Sequence, residues 1–282
     1  MVSSKPDLHQ LVAAALAEDL GESNLDVTTS SIVDTTLMGE AVVIARKPGV
    51  LSGSDAAARV FEMILPRSEY RALVSDGMRL EAGDEVARIA GPLSSILIGE
   101  RTALNFLQRL SGIATMTRRY ADALASYPKV TLLDTRKTTP GLRFLERAAV
   151  RAGGGHNHRD GLWDAILIKD NHIAAAGGVG EAIKRARKAT LPVEVEVETL
   201  EQLAEALDGG AEIVLLDNMP AELMRQAVEI TAGRAKLEAS GGMTLEGAVA
   251  AAKAGVDRIS VGALTHSAPA LDLSLEVTKT WR

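Results

Sequence analysis

The sequence predicts an α/β protein whose larger part is a parallel sheet of about six strands that closes incompletely into a barrel. In the second half of the chain, short β-branched runs alternate with Ala-rich helical segments, and a parallel sheet needs such a crossover between successive strands. The 282 residues include only two Trp, three Tyr and three Phe, so Ala, Val, Leu and Ile must form most of the core. Close helix-on-sheet packing tolerates that set well, which favours α/β over a β-sandwich.

The first part of the chain predicts a separate, mixed domain over residues 1–112. Apolar residues in its amino-terminal stretch have helical spacing, and short strands and turns follow, such as the run at 41–45. The last element of this domain is a predicted helix over 94–109, which bridges to the next domain. We therefore expect a barrel domain over 113–268 and a carboxy-terminal segment, 269–282, that packs back on the first domain.

Six strands and four intervening helices are predicted within the barrel domain. The strands are Val130–Leu133, Ala165–Ile168, Val193–Val197, Ile213–Leu216, the neighbours of Leu237, and Arg258–Val261. The helices are Gly178–Ala189, Leu200–Leu207, Ala221–Ala232 and Leu245–Ala254. Gly255 follows the last helix, as helix C-termini prefer.

Composition excludes several classes of function. The net charge of −6 and the pI near 5.5 give no basic field, which disfavours nucleic acid as the main partner. The chain has no cysteine for disulfides or thiolate metal sites, and neither His9 nor His266 has a second ligand at zinc-site spacing. No signal peptide or membrane-spanning stretch is evident, so we expect a soluble, cytoplasmic protein. Walker, dinucleotide-binding and Gly-x-Ser-x-Gly motifs are also absent.

Cationic side chains follow the predicted strands at their carboxyl ends, which meet at one mouth in a barrel. The members of this cationic group are Arg136, Lys137, His158, Arg159 and Lys169. Arginine presents a fork that suits carboxylate or phosphate, and lysine supplies a compact charge. The group predicts a ligand with more than one negative charge, and the alternative is that these side chains pair with surface acids.

Acidic side chains alternate along one strand, at Glu194, Glu196 and Glu198, so that they share one face. Carboxylates inside a barrel are costly unless cations, hydroxyls or a metal pair with them. Glu198 lies nearest the mouth, and with Asp217 it is a candidate ligand for ribose hydroxyls or a hydrated Mg²⁺. The alternative is an edge strand with a wet face.

Glycine-rich turns end two successive strands, at Ser240-Gly241-Gly242 and Ser260-Val261-Gly262-Ala263. Such turns present backbone N–H groups to a phosphate at the start of the next helix. A single turn of this kind is more often only a tight connection, but two side by side favour a phosphate site.

Three motifs together are similar to the quinolinate phosphoribosyltransferase family. They are Thr135-Arg136-Lys137-Thr138-Thr139-Pro140-Gly141, Arg151-Ala152-Gly153-Gly154-Gly155-His156-Asn157-His158-Arg159, and Lys169-Asp170-Asn171-His172. The resemblance covers essentially the whole chain, and the glycine-histidine-arginine run is the most specific part. It implies transfer of 5-phosphoribosyl from phosphoribosyl pyrophosphate to quinolinate, giving nicotinate mononucleotide, CO2 and pyrophosphate in de novo NAD biosynthesis.

The resemblance also implies an amino-terminal α/β sandwich domain, an open α/β barrel and a homodimer, and it leaves higher association open. Quinolinate would contact Arg101 of the other subunit and Thr135, Arg136, Lys137, His158, Arg159 and Lys169. Ribose and phosphate would contact Glu198, Asp217, Ser240, Gly241, Gly242, Val261, Gly262 and Ala263. Mg²⁺ would be held by Glu198 and Asp217, and the catalytic residues would be Lys137, Lys169, Glu198 and Asp217.

Two rival functions remain at this point. A phosphoribosyltransferase acting on nicotinate or another aromatic acid without decarboxylation would share the ribose side but need fewer cations. A noncatalytic metabolite-binding protein on the same fold is the other rival, because a fold alone does not establish activity.

Overall fold

The computed structural model describes residues 7–64 and 69–282, and these form two compact units. The first unit comprises the described residues among Met1–Arg118, Thr139–Gly154 and Ala268–Arg282. The second unit comprises Arg119–Thr138 and Gly155–Ser267. No helix in this described part of the chain has the length and apolarity that crossing a membrane requires.

The first unit contains antiparallel strands and most of the longest helix. Numbered along the chain, its elements are α1 (Leu8–Leu20), α2 (Val27–Ile32), β1 (Met38–Ala45), β2 (Gly49–Val50), α3 (Ser54–Ile64), β3 (Glu69–Ala72), β4 (Arg79–Leu80), β5 (Glu85–Pro92), α4 (Leu93–Ala123), α5 (Arg143–Ala152) and β12 (Leu273–Trp281). Strands β12, β1, β5 and β3 form one sheet in that order, and β2 pairs with β4. Strand β12 runs antiparallel to the whole of β1, from Leu273 opposite Ala45 to Trp281 opposite Met38.

Helix α4 is longer than the predicted 94–109, and the prediction of its end was wrong. The glycine at 112 suggested a boundary, but the helix continues for a further eleven residues to Ala123. A Cβ atom on Gly112 would stand 2.1 Å from the carbonyl oxygen of Pro269, so the backbone of the segment leading to β12 crosses the helix there. The glycine therefore permits close approach of two backbone segments and does not terminate the helix.

The second unit confirms the predicted six parallel strands. Its elements are β6 (Thr131–Leu133), β7 (Ile166–Ile168), α6 (Asp170–Ala176), α7 (Val179–Ala186), β8 (Val193–Val197), α8 (Leu200–Asp208), β9 (Ile213–Asp217), α9 (Ala221–Thr231), β10 (Lys236–Ser240), α10 (Leu245–Ala254), β11 (Arg258–Ser260) and α11 (Ala263–His266). The strand order is β6-β11-β10-β9-β8-β7, so β6 and β7 are the two edges and the barrel-like sheet is open.

The four predicted helices of this unit correspond to α7, α8, α9 and α10. Helix α10 ends at Gly255 in the left-handed conformation, with φ 102°, as its sequence predicts. Helices α6 and α11 were not predicted, because they have only seven and four residues. In the first unit, α3 and α5 were also not predicted, although they have eleven and ten residues.

A matched pair of helical glycines tests the close approach at α4. We expect Gly112→Ala to lower the free energy of unfolding by about 2 kcal/mol, because the added methyl meets backbone that cannot move freely. Gly247→Ala in α10 is the control, since its Cβ would lie 3.4 Å from side-chain atoms only. That change should leave stability unchanged or raise it by up to about 1 kcal/mol. Denaturant unfolding measures both, and equal stability of the two variants would contradict the packing described for Gly112.

Candidate active site

Parallel pairing brings the carboxyl ends of the second unit's strands to one edge of the sheet. Val197 lies opposite Leu216, so Glu198 and Asp217 follow each other at the ends of neighbouring strands. Asp217 in turn pairs with Ser240 on the next strand. Residues that are far apart in sequence thus occupy adjacent positions at a single mouth, where ligands bind in such sheets.

A cavity of about 410 Å³ lies at these strand ends. It is lined by Tyr120, Thr135, Lys137, Ser240, Gly241, Gly242, Met243, Thr244, Leu245, Ser260, Gly262, Ala263 and His266. The same cavity is therefore lined by both glycine turns and by Thr135 and Lys137. Val261 is fully buried beside it and is absent from the lining.

The backbone of the first glycine turn cannot accept a side chain. Gly241 has φ +91°, and a Cβ atom there would stand 2.3 Å from the Asn218 side-chain oxygen. Asn218 itself adopts positive φ, and its amide donates to the carbonyl of Ser240 at 3.0 Å. The two turns after β9 and β10 are thus in close contact, and Gly241 and Gly242 of the second turn line the cavity.

His266 and Tyr120 are among the lining residues that sequence reasoning did not assign to the site. His266 lies with its Nε2 atom 3.2 Å from where a Cβ of Gly262 would stand, as does the Cδ atom of Lys137. Tyr120 donates its hydroxyl to the carbonyl of Met243 at 3.2 Å, and burial with the charge of Glu246 raises its pKa, so it stays neutral. His266 was set aside because it has no metal partner. The only sequence feature that indicated a role for His266 was its position shortly after Gly262, in the segment that follows β11.

Two guanidinium groups, Arg136 and Arg159, lie within electrostatic range of each other. Burial lowers the pKa of Arg159, and the nearby positive charge of Arg136 lowers it further, whereas the negative charges of Asp164 and Glu194 act to raise it. Arg159 also donates from Nη1 to the carbonyl of Ala165 at 3.0 Å, which fixes its direction. Holding two like charges together is unfavourable, and an anion bound between them would relieve the repulsion.

Asp134 anchors the segment that carries His158 and Arg159. This fully buried carboxylate follows β6 and accepts from the His158 amide at 2.7 Å and from Asn157 Nδ2 at 2.6 Å. The carbonyl of His156 accepts the Asp134 amide at 3.1 Å, which continues the parallel pattern of the sheet. The glycine-histidine-arginine run is therefore fixed to the end of a strand.

The loop that carries Arg136 and Lys137 is held at its far end in the first unit. There Glu146 is fully buried on α5 and accepts from the amide of Thr139 at 3.0 Å and from its hydroxyl at 2.7 Å. Arg109 of α4 pairs with the same carboxylate at 2.8 Å. Sequence reasoning did not single out Glu146, because a lone glutamate in a helix is normally on the surface.

The alternating acids of β8 pair with cations, as burial requires. Glu194 lies 3.0 Å from Nε2 of His158, and Glu196 lies 2.6 Å from the ammonium group of Lys169. Glu238 of β10 lies 3.4 Å from the same imidazole nitrogen. Burial acts to lower the pKa of His158, but the two carboxylates outweigh it and raise the pKa to about 9.

Glu198 and Asp217 offer oxygen atoms that suit Mg²⁺. Glu198 is exposed and Asp217 is half-buried, where its carboxylate accepts from Asn218 Nδ2 at 2.8 Å. Two carboxylates give an incomplete ligand set, and Mg²⁺ commonly completes its octahedron with waters and substrate phosphates. The donor chemistry therefore fits the expected ion.

Arg101 belongs to a different unit from the other predicted site residues. It lies exposed on the first-unit part of α4, while the other predicted residues belong to the second unit.

Comparisons with known proteins identify the family. The models described as the C-terminal and N-terminal domains of quinolinate phosphoribosyl transferase match residues 113–276 and 26–111. A Bacillus subtilis protein named probable nicotinate-nucleotide pyrophosphorylase (carboxylating) is 44% identical over 274 residues, covering 96% of this chain and 93% of the relative. A Nicotiana tabacum quinolinate phosphoribosyltransferase (decarboxylating) is 40% identical, with 96% and 82% covered.

A solved structure gives the same result. The nicotinate-nucleotide pyrophosphorylase from Francisella tularensis has a TM-score of 0.91 and 43% identity, and the match covers 96% of each chain. Its agreement with the present fold confirms the predicted α/β class. By these matches, the chain belongs to the quinolinate phosphoribosyltransferase family.

Proposed function

We propose that this protein transfers the 5-phosphoribosyl group of phosphoribosyl pyrophosphate to the nitrogen of quinolinate. The products are nicotinate mononucleotide, CO2 and pyrophosphate, in a step of de novo NAD biosynthesis. The observation that carries the proposal is that Asp134, at the carboxyl end of β6, fixes the segment of His158 and Arg159. Arg136 follows Asp134 in the same turn of the chain, and its charge acts on Arg159. A dicarboxylate supplies two negative groups for such a cluster, whereas nicotinate supplies one.

The phosphoribosyl end of the second substrate fits the cavity at the glycine turns. It is lined by residues of the Gly241 and Gly262 turns and by Lys137. Backbone N–H groups and a lysine are the usual partners of a phosphate. The cavity volume of about 410 Å³ is within the range of small-molecule sites.

The chain's residues contribute mainly by positioning and electrostatics. The bond between the anomeric carbon and pyrophosphate breaks, and the pyridine nitrogen forms the new bond to that carbon. Arg136 and Arg159 hold the acceptor in line, while Glu198 and Asp217 are placed to favour positive charge that develops on the ribose. The adjacent carboxyl group then leaves as CO2, and a proton replaces it on the ring carbon.

Mg²⁺ is proposed as the cofactor, held by Glu198 and Asp217. When bound with the substrate, it would offset the charge of the departing pyrophosphate. Lys169 is proposed to exchange its partner Glu196 for a substrate carboxylate, because its side chain is 45% exposed and can reorient.

A homodimer in which Arg101 reaches the partner's mouth is also proposed, and it accounts for an exposed arginine on α4 that is distant in sequence from the other cations. We further expect a cytoplasmic location.

The choice of acceptor tests the proposed function directly. With phosphoribosyl pyrophosphate and Mg²⁺, we expect the protein to form nicotinate mononucleotide and CO2 from quinolinate and to show no comparable turnover of nicotinate. Product chromatography and release of labelled CO2 measure both, and a chelator should stop the reaction. Turnover with nicotinate alone would support the monocarboxylate rival, and no turnover with either acid would support a binding protein.

Removal of one guanidinium tests the acceptor pocket. We expect Arg159→Ala to lower kcat/KM for quinolinate by at least about 100-fold, because a charge-assisted fork to a carboxylate is lost. Arg225→Ala on the surface of α9 is the control, since Arg225 pairs only with Glu222 and Glu229 of its own helix among the contacts seen. Near-normal quinolinate turnover in Arg159→Ala would count against this pocket.

A further inference from the structure

One side chain contacts both ends of the proposed phosphoribosyl site. Asn218 follows Asp217 at the carboxyl end of β9, and its Nδ2 atom donates to Oδ2 of the Asp217 carboxylate at 2.8 Å. Its other amide atom, Oδ1, lies against the backbone of Gly241, since a Cβ atom on that glycine would stand 2.3 Å from it. In the proposed function, the carboxylate serves the ribose and the glycine turn serves the 5-phosphate. A single amide group therefore contacts two parts of the site that one substrate spans.

The orientation of this amide follows from its neighbours. An ionised carboxylate only accepts hydrogen bonds, so the NH2 group of Asn218 is the side that faces Asp217. The reversed amide would place its oxygen beside the oxygen of the carboxylate, and the two would repel each other. Asn218 thus holds one carboxylate oxygen of Asp217, while the backbone of Gly241 limits where the amide itself can lie.

The backbone of Asn218 is also fixed to the glycine turn. Its φ of 52° is in the left-handed region, and its N–H donates to the carbonyl of Ser240 at 3.0 Å. Asp217 pairs with Ser240 in the register of β9 and β10, so this hydrogen bond continues the pairing past the end of β9. Asparagine tolerates the left-handed region better than most residues with a side chain. The backbone conformation alone would therefore account for an asparagine here, and a test has to separate it from the amide.

The exposure of Asn218 indicates that its amide serves a ligand more than the fold. The residue is exposed, and a hydrogen bond that competes with water contributes little to the free energy of unfolding. A ligand that covers the Gly241 turn excludes water, and the same hydrogen bond becomes stronger in those surroundings. We therefore expect the amide to be removable without unfolding the protein.

We propose that Asn218 is a positioning residue that fixes the spacing between the Asp217 carboxylate and the Gly241 turn, and thereby the recognition of ribose 5-phosphate as one unit. The ribose hydroxyls and the 5-phosphate belong to one sugar, so their partners must stand at a set separation to bind both ends together. The inference rests on the proposed function, because it assigns Asp217 and the turn to the two ends of the phosphoribosyl group.

Two substitutions separate the amide from the backbone conformation. Asn218→Gly keeps the left-handed backbone without strain and removes the amide. Asn218→Asp keeps the shape of the side chain, but it replaces the donor with a second carboxylate beside Asp217. Asn24→Gly in the first unit is the matched control, because Asn24 is also exposed and has a positive φ of 49°. Circular dichroism checks that each variant is folded.

Binding without turnover gives the first measurement. In phosphorus NMR titrations of the full-length protein without Mg²⁺, both Asn218 variants should bind ribose 5-phosphate about tenfold more weakly than the wild type, as loss of a hydrogen bond to a charged group predicts. Asn218→Gly should bind inorganic phosphate within about twofold of the wild-type affinity, since that probe needs the turn alone. Asn24→Gly should leave both affinities unchanged.

Steady-state kinetics gives the second measurement. With Mg²⁺ present, the KM for phosphoribosyl pyrophosphate should rise about tenfold in both Asn218 variants, while the KM for quinolinate stays within about twofold. Equal rises in both KM values would indicate general damage to the site and would overturn the inference.

The binding outcomes separate this inference from the proposed function. Unchanged affinity for ribose 5-phosphate in both Asn218 variants overturns the inference, and so does a wild-type protein that binds this sugar no more tightly than inorganic phosphate. An equal loss of affinity for both probes in Asn218→Gly also contradicts it, because the effect would then lie in the turn alone. If the wild-type protein does not use quinolinate, the proposed function fails, and the two titrations alone then decide whether Asn218 fixes the spacing.

Discussion

Parallel pairing of six strands is the constraint on which the candidate site depends. The register that places Asp217 beside Ser240, and Leu216 beside Val197, also decides which side chains stand at the mouth. A slip of one residue would turn every alternate side chain to the other face, so the buried hydrophobic positions of the strands fix the polar positions as well. The cavity and the cationic group are consequences of one pattern of backbone hydrogen bonds.

Charge of both signs has to be buried to build such a site. The cations follow the strand ends, while Glu194 and Glu238 lie earlier on β8 and β10 and are matched to His158 and Arg258. Buried ion pairs contribute little net stability, because desolvation cancels most of their attraction. We interpret these buried ion pairs as required by function and not by stability. The apolar packing between the helices and the sheet offsets their desolvation free energy.

Much of this arrangement could be predicted from the sequence, for reasons that are local. β-branched runs and glycine turns identify strands and their ends, and so the residues of the mouth were predicted from position alone. The end of α4 could not be predicted in this way. Gly112 permits the close approach of the backbone at Pro269, which is distant in sequence, and no local pattern indicates such a contact. For the same reason, neither His266 at the cavity nor the pairing of Glu238 with His158 could be foreseen, since each depends on which strands become neighbours.

The proposed function depends on the binding of a dicarboxylate by the cations at the carboxyl edge of the sheet. A crystal structure with quinolinate and an unreactive analogue of phosphoribosyl pyrophosphate tests it most directly. We predict the two quinolinate carboxylates within hydrogen-bond distance of Arg136 and Arg159 and next to His158, with the 5-phosphate of the analogue at the turns of Gly241 and Gly262. Quinolinate bound elsewhere, or its carboxylates in the glycine-turn cavity with the guanidiniums unoccupied, would contradict the account.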